Sequence, residues 1–436
     1  MIGTPQENSD EQADLFRKAL QLKPDFLEAH YNLGLIYANQ NKMNEAAAEF
    51  EAVLKIEPKF DPEIYYLLAT VYQESGNAKA AIGALEEGLR RKPKDLKFLK
   101  ALAYLQFKGE MDAAAIQSLE TILEIEPADA TSHIDLALLY QQHGELEKAV
   151  EQYQAALSAD PKSFETHYNL ALIYLKQNKN AEAVAELEAA NAVQPGNADV
   201  LEKLGDAYAF QQQHAKAAAA FKAALEKVNN RGVIFAKLGF SLANLNRTEE
   251  AVSALESALR LSGKNAQVYF LLGDLYGYLK RFDVAAAAYK NSLEMNPKQK
   301  TVRYNLGTLY AEQKQFSEAM EQFKIAVQLD PDYAAAWSNM ALVAEKLELD
   351  KEAIEAHEKT IALGKGQAQN YFDLGVLYAN LNQPDPAIAA FARAIKMEPA
   401  KYQALLREEL KKVHSVLDPV RYKESFTKLL AAPPSQ

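Results

Sequence analysis

Apolar and polar positions recur along this chain with a helical period nested inside a longer one. The segment Tyr31-Asn32-Leu33-Gly34-Leu35-Ile36-Tyr37 returns as Tyr168-Asn169-Leu170-Ala171-Leu172-Ile173-Tyr174, and again as Tyr304-Asn305-Leu306-Gly307-Thr308-Leu309-Tyr310. The separations are multiples of 34, apart from one extra residue after Pro58. With the leucine of this segment as position 7, eleven units begin at Leu27, Pro62, Leu96, Ala130, Phe164, Ala198, Gly232, Ala266, Lys300, Ala334 and Ala368. Positions 4, 7, 8 and 11 share one stripe of a first helix, and positions 20, 24 and 27 form the facing stripe of a second. Position 8 is glycine or alanine and position 20 is alanine in all eleven units. Side chains that small let two helix backbones approach, while tyrosine at position 11, present in eight units, fills the wedge beside them. Proline at position 32, also in eight units, cannot continue the second helix and ends the unit. Turn signals such as Glu74-Ser75-Gly76-Asn77 and Gln142-His143-Gly144 separate the two helices.

The ends extend the pattern. Phe16, Ala19 and Pro24 occupy positions 24, 27 and 32 of a further unit, so Glu11 to Leu22 reads as a lone second helix and the chain as starting in mid-repeat. Tyr402 to Val416 reads as one helix, and Asp418-Pro419 as the start of another reaching to about Leu430. The expected organisation is a tail and half-repeat over 1–26, eleven repeats over 27–401, and capping helices with a tail over 402–436. Residues 1–9 and 432–436 read as mobile tails.

A 34-residue helix–turn–helix with Leu, a small residue and Tyr on its first helix and Ala and Pro on its second resembles the tetratricopeptide repeat. Trp337 stands at position 4, where that family prefers an aromatic. The resemblance spans Leu27 to about Lys401 and implies an all-α, right-handed superhelical solenoid of stacked repeats.

Composition narrows the function. At about 150 residues per domain, 436 residues would suggest three domains, but the periodicity replaces that division with one array. No cysteine is present, which excludes disulfide scaffolds, thiolate metal sites and cysteine nucleophiles. A net charge of −11 argues against binding the phosphate backbone of nucleic acid. No apolar run approaches the ~18 residues of a membrane span, and no signal peptide is visible. A cytoplasmic location is favoured, with a periplasmic or other compartment left open by removal of an upstream signal. His30, His133 and His167 fall at position 4 and His357 at position 24, both packing positions, and no metal-ligand spacing or catalytic constellation accompanies them. Neither an enzyme, a cofactor nor a metal is therefore expected.

Stacked repeats curve so that their first helices line a concave wall. Positions 7, 8 and 11 face the second helix, which leaves positions 2, 5, 6, 9, 12 and 13 for the wall. Position 5 is aromatic at Tyr31, Tyr66, Tyr168, Phe270, Tyr304 and Phe372. Position 6 is Asn32, Asn169, Asn305 and Asn339, with Asp135 and Asp373 in two further units. A side-chain amide donates to backbone C=O and accepts from backbone N–H, so a row of amides suits an extended peptide of any sequence. The row is similar to the asparagine ladder in the repeat domain of O-linked N-acetylglucosamine transferases, interrupted here at Leu67, Ala101, Lys203, Lys237 and Leu271. Lys97, Lys100 and Lys108 form a basic patch, and Asp199, Glu202 and Asp206 an acidic one, with Asp274 two repeats on. Position 9 is never Asn, which argues against the carboxylate clamp of chaperone-binding repeats. The expected function is a non-enzymatic scaffold that holds an extended segment or helix of a partner protein in the groove. The alternative is the substrate-recruiting region of a glycosyltransferase or other enzyme whose catalytic part is absent. Self-association through the end repeats is a third possibility.

Overall fold

The computed structural model describes residues 5–412 and 427–431. Among them, helices alternate with short turns from Pro5–Leu22 to Pro399–Lys412, and no strand occurs. The chain divides after Ala207 into two compact units. Within each unit a first helix packs on the second helix that follows it and is joined to the next pair by a short connection. First helices begin at Leu27, Glu63, Leu96, Ala130, Phe164, Ala198, Gly232, Ala266, Lys300, Ala334 and Ala368. No described helix is long and apolar enough to cross a membrane.

The packing follows from residue size. All eleven position-20 alanines, from Ala46 to Ala387, are 0% exposed, and the position-7 residues from Leu33 to Leu374 are buried with them. Glycine at position 8 admits an aromatic ring at position 24. A Cβ added to Gly34 would lie 2.7 Å from Phe50, and one on Gly375 would lie 2.7 Å from Phe391. Where position 8 is alanine, leucine takes position 24, as in the buried pairs Ala69 with Leu85 and Ala103 with Leu119. Three units break the rule: Ala137 stands in the same register as Tyr153, Gly239 faces Leu255, and Ala341 is paired in register with His357.

Each first helix ends with position 15 in the left-handed region. Glycine takes it twice, at Gly76 and Gly144, and residues such as Asn41, Glu110, Lys280 and Lys314 take it elsewhere with φ of 55–61°. Paired bonds close the turn: Asn41 N–H to Ala38 O (3.0 Å) and Lys42 N–H to Tyr37 O (2.8 Å), repeated at Lys314 and Gln315. This is the Schellman arrangement, which supplies donors for the last carbonyls of the helix.

Two side-chain clasps join consecutive repeats. At position 4, His30, His133 and His167 each donate Nε2–H to the carbonyl of the preceding position-32 proline at 3.0–3.1 Å, and Trp337 Nε1–H does the same to Pro331 at 2.8 Å. Tyrosines at position 11 donate to an acid at position 25 of the preceding repeat: Tyr276 to Glu256 (2.5 Å), Tyr378 to Glu358 (2.6 Å) and Tyr72 to Glu51. Burial first, and then the neighbouring carboxylate, pushes Tyr72 and Tyr378 up to about 12.

At the ends, the first helix starts at Pro5, earlier than Glu11, because proline suits a first helical turn. The penultimate segment is helical over 427–431, whereas its expected start at Asp418-Pro419 and the tail 432–436 lie outside the described residues.

Candidate functional site

The position-5 aromatics are held largely by packing. Tyr31 lies between Phe50 and Phe60, Tyr66 beside Phe98, Phe270 beside Tyr289, and Tyr304 between Phe323 and Tyr333. Tyr168 stacks on Phe164 with centroids 6.0 Å apart. Phe372, between Phe391 and Tyr402, is only 6% exposed and belongs to the core. The other five are half-buried, each offering part of a ring to the surface.

The position-6 amides divide into two kinds. Asn32 donates to Glu28 O of its own helix at 2.8 Å. Asn169, Asn305 and Asn339 instead reach the preceding repeat. Asn169 stands beside the Tyr153 hydroxyl, which itself donates to Gln141 at 3.3 Å, Asn305 Nδ2 donates to Asp274 at 2.9 Å, and Asn339 Nδ2 donates to the Tyr304 hydroxyl at 3.2 Å. Tyr289 also donates to Asp274, at 2.6 Å. Burial raises the Asp274 carboxyl above its ordinary range, opposed by those two hydrogen bonds. Asp135 is raised as well, chiefly by burial and then by Glu165.

Asp274, Tyr278, Tyr289, Tyr304, Asn305, Thr308 and Glu312 line a cleft of about 320 Å³ together with Gly277 and Leu309, and no Lys or Arg lines it. Tyr278, at position 13, is 78% exposed at its rim. The sequence pattern alone does not single out Tyr278, Tyr289 or Thr308. A tyrosine at position 13, on the wall, is the signal for the first, whereas Tyr289 falls at position 24, a packing position.

The charged patches behave differently from the cleft. Lys100 is paired with Glu126 (2.8 Å) and Asp129 (2.7 Å), and Lys97 with Glu63. Lys97 also sits 3.8 Å over the Tyr66 ring, and Lys108 lies over Tyr104. Most of the charge in the basic patch is therefore met within the protein. Asp199 is exposed and Glu202 and Asp206 are half-buried on helix Ala198–Phe210. Asp199 and Glu202 stand near enough to Tyr168 to raise its hydroxyl further, after burial.

An all-helical chain built from helix pairs that repeat every 34 residues is an α-solenoid protein. Sequence models described as tetratricopeptide repeat match residues 8–71, 40–105, 168–231, 234–265, 270–334 and 368–401, and one described as TPR repeat matches 140–178. The chain belongs to the tetratricopeptide repeat family. Among solved structures it is similar to YrrB, described as a TPR protein with an unusual peptide-binding site, at 22% identity over 44% of this chain and 98% of that one, with a TM-score of 0.41. MamA matches at 21% identity over 37% of this chain and 95% of its own, TM-score 0.36. The structure of Naa15/Naa10 bound to HypK-THB matches at 17% identity over 98% of this chain and 79% of the other, TM-score 0.43. No curated protein sequence matches significantly.

Proposed function

We propose that this chain is a non-catalytic scaffold that holds an extended segment of a partner protein across the first helices between Asp274 and Asn339. One observation carries the reading: Asn305 and Asn339 occupy the same position of consecutive first helices and use amide N–H groups to tie each helix to the one before it. Among the described residues, the bonds of these two amides employ N–H donors, so the carbonyl oxygens stay available to a partner's backbone N–H. Tyr278, Tyr304 and Thr308 add apolar area and hydroxyls beside them. With Asp274 and Glu312 in the lining and no basic residue, the cleft favours a segment carrying Lys or Arg.

A random-peptide display library selected against the full chain tests this. Recovered peptides are expected to be rich in Lys or Arg, and to bind the Asn305→Ala/Asn339→Ala variant about tenfold or more weakly, which is the loss of roughly 1.4 kcal/mol in hydrogen bonds. Equal affinity for the variant, with its helicity unchanged, would remove the amides from the binding role.

A further inference from the structure

The unit that begins at Ala334 departs from the repeat norm at positions whose side chains converge. Position 24 is Phe, Tyr or Leu in the ten other units and His357 here. Position 12 carries a charge only in this unit, at Glu345, and the next unit supplies Asp373 at position 6. The three side chains come from helices Ala334–Lys346, Asp350–Ala362 and Ala368–Asn380. A donor atom from each lies within 4.8 Å of the other two. His357 is 0% exposed, and its Nε2 lies 2.7 Å from Glu345 Oε1. A cavity of about 510 Å³ opens onto Glu345 and Asp373, with Glu348, Asp350 and Glu409 also in its lining and no Lys or Arg.

An imidazole in a hydrocarbon position loses its hydration and needs a polar partner in return. Two carboxylates converge beside it, and at this separation they repel each other. Glu345 and Asn370 supply polar partners to His357, and one cation bound among the three groups offsets the repulsion between the two carboxylates.

We propose that Glu345, His357 and Asp373 bind a divalent transition-metal cation of the zinc class. One imidazole nitrogen and two carboxylates suit zinc, which takes them at about 2.0–2.2 Å, and the carboxylates rotate inward from their present separations to reach it. Three protein ligands leave one coordination position facing the cavity, for water or a donor atom of a partner. The outer shell sets a further requirement. Asn370 Nδ2 donates to His357 Nδ1 at 3.3 Å, while Asn370 Oδ1 accepts Gln367 N–H at 2.8 Å. In this arrangement His357 carries its proton on Nε2 and donates it to Glu345. To ligate through Nε2, the imidazole moves that proton to Nδ1, where it needs an acceptor that the present Asn370 amide does not offer. A carboxylate at residue 370 accepts from Gln367 N–H and from Nδ1–H at once, the carboxylate–histidine–metal arrangement.

The test is a zinc titration of the untagged full chain, stripped with a chelator and measured by competition against a chromophoric chelator. One zinc per chain is expected, with affinity falling about tenfold or more in Asp373→Asn and Glu345→Gln. Asn370→Asp should bind several-fold more tightly, and should lose that gain when combined with His357→Leu. The His357→Leu variant keeps the fold, because leucine at position 24 against alanine at position 8 is the native pairing at Ala69 and Leu85, and it should bind no zinc at this site. Absence of stoichiometric zinc in the unaltered chain overturns the proposal. So does zinc binding that persists undiminished in folded His357→Leu and Asp373→Asn.

Discussion

The match between positions 8 and 24 makes a prediction with a sign that can be reversed. A methyl group on Gly307 would stand 2.8 Å from Phe323 Cε1, 2.9 Å from Cδ1 and 3.1 Å from Cζ. Phe323 is 0% exposed in a close-packed interior, so the ring or the helix must shift. Overpacking of this kind costs about 1–3 kcal/mol, against which alanine in a helix interior returns about 0.5–1 kcal/mol relative to glycine. Gly307→Ala should therefore destabilise by roughly 0.5–2 kcal/mol. A Phe323→Leu background restores the alanine–leucine pairing native at Ala69 and Leu85 and relieves most of the steric cost, so the same substitution should stabilise by up to about 0.5–1 kcal/mol. Urea unfolding read through Trp337 fluorescence measures both. Trp337 is the only tryptophan, is 8% exposed, and sits on helix Ala334–Lys346, which packs against the helix that carries Phe323. Because long repeat arrays need not unfold in one step, the midpoint of this local transition is the quantity to compare. The same sign for Gly307→Ala in both backgrounds would refute the size-matching argument.

The tyrosine clasps predict alkaline instability. Tyr72 and Tyr378 are raised to about 12 in the folded chain, against about 10 when unfolded. The unfolded chain releases these protons first, so stability should fall as pH rises from about 10 towards 12, and Tyr72→Phe/Tyr378→Phe should flatten that fall in melting curves. At position 15, Lys314→Gly should stabilise by up to about 1 kcal/mol, since about 1–2 kcal/mol of left-handed strain is relieved and part of it is returned to unfolded-state entropy. Gly76→Ala should shift the urea midpoint the opposite way.

The fold was legible because stacking forces a strict size rule on a few positions. Ala46 and its ten counterparts have no alternative in the space available, and a rule obeyed eleven times stands out in one sequence. The turns were half legible. Gly76 and Gly144 announce a left-handed residue, but Glu110, Lys280 and Lys314 adopt the same φ with no local signal, because the Schellman bonds and helix packing on both sides fix it. The candidate site was less legible still. Helical periodicity assigns a face but not the reach of a side chain: Asn32 turns back onto Glu28, while Asn305 crosses to Asp274. Phe372 shares a position with Tyr31 yet is closed over by Tyr402. Lys97 and Lys100 read as a basic patch until their partners Glu63, Glu126 and Asp129, distant in sequence or on neighbouring turns, are placed beside them.

Site-directed photo-crosslinking of a selected peptide to the full chain locates the bound segment without assuming its sequence. A photoreactive residue in place of Tyr278 or Thr308 should capture the peptide, and one in place of Lys324, on the second helix Phe316–Leu329, should not. Capture at Lys324 with none at Tyr278 or Thr308 would contradict a partner held along the first helices.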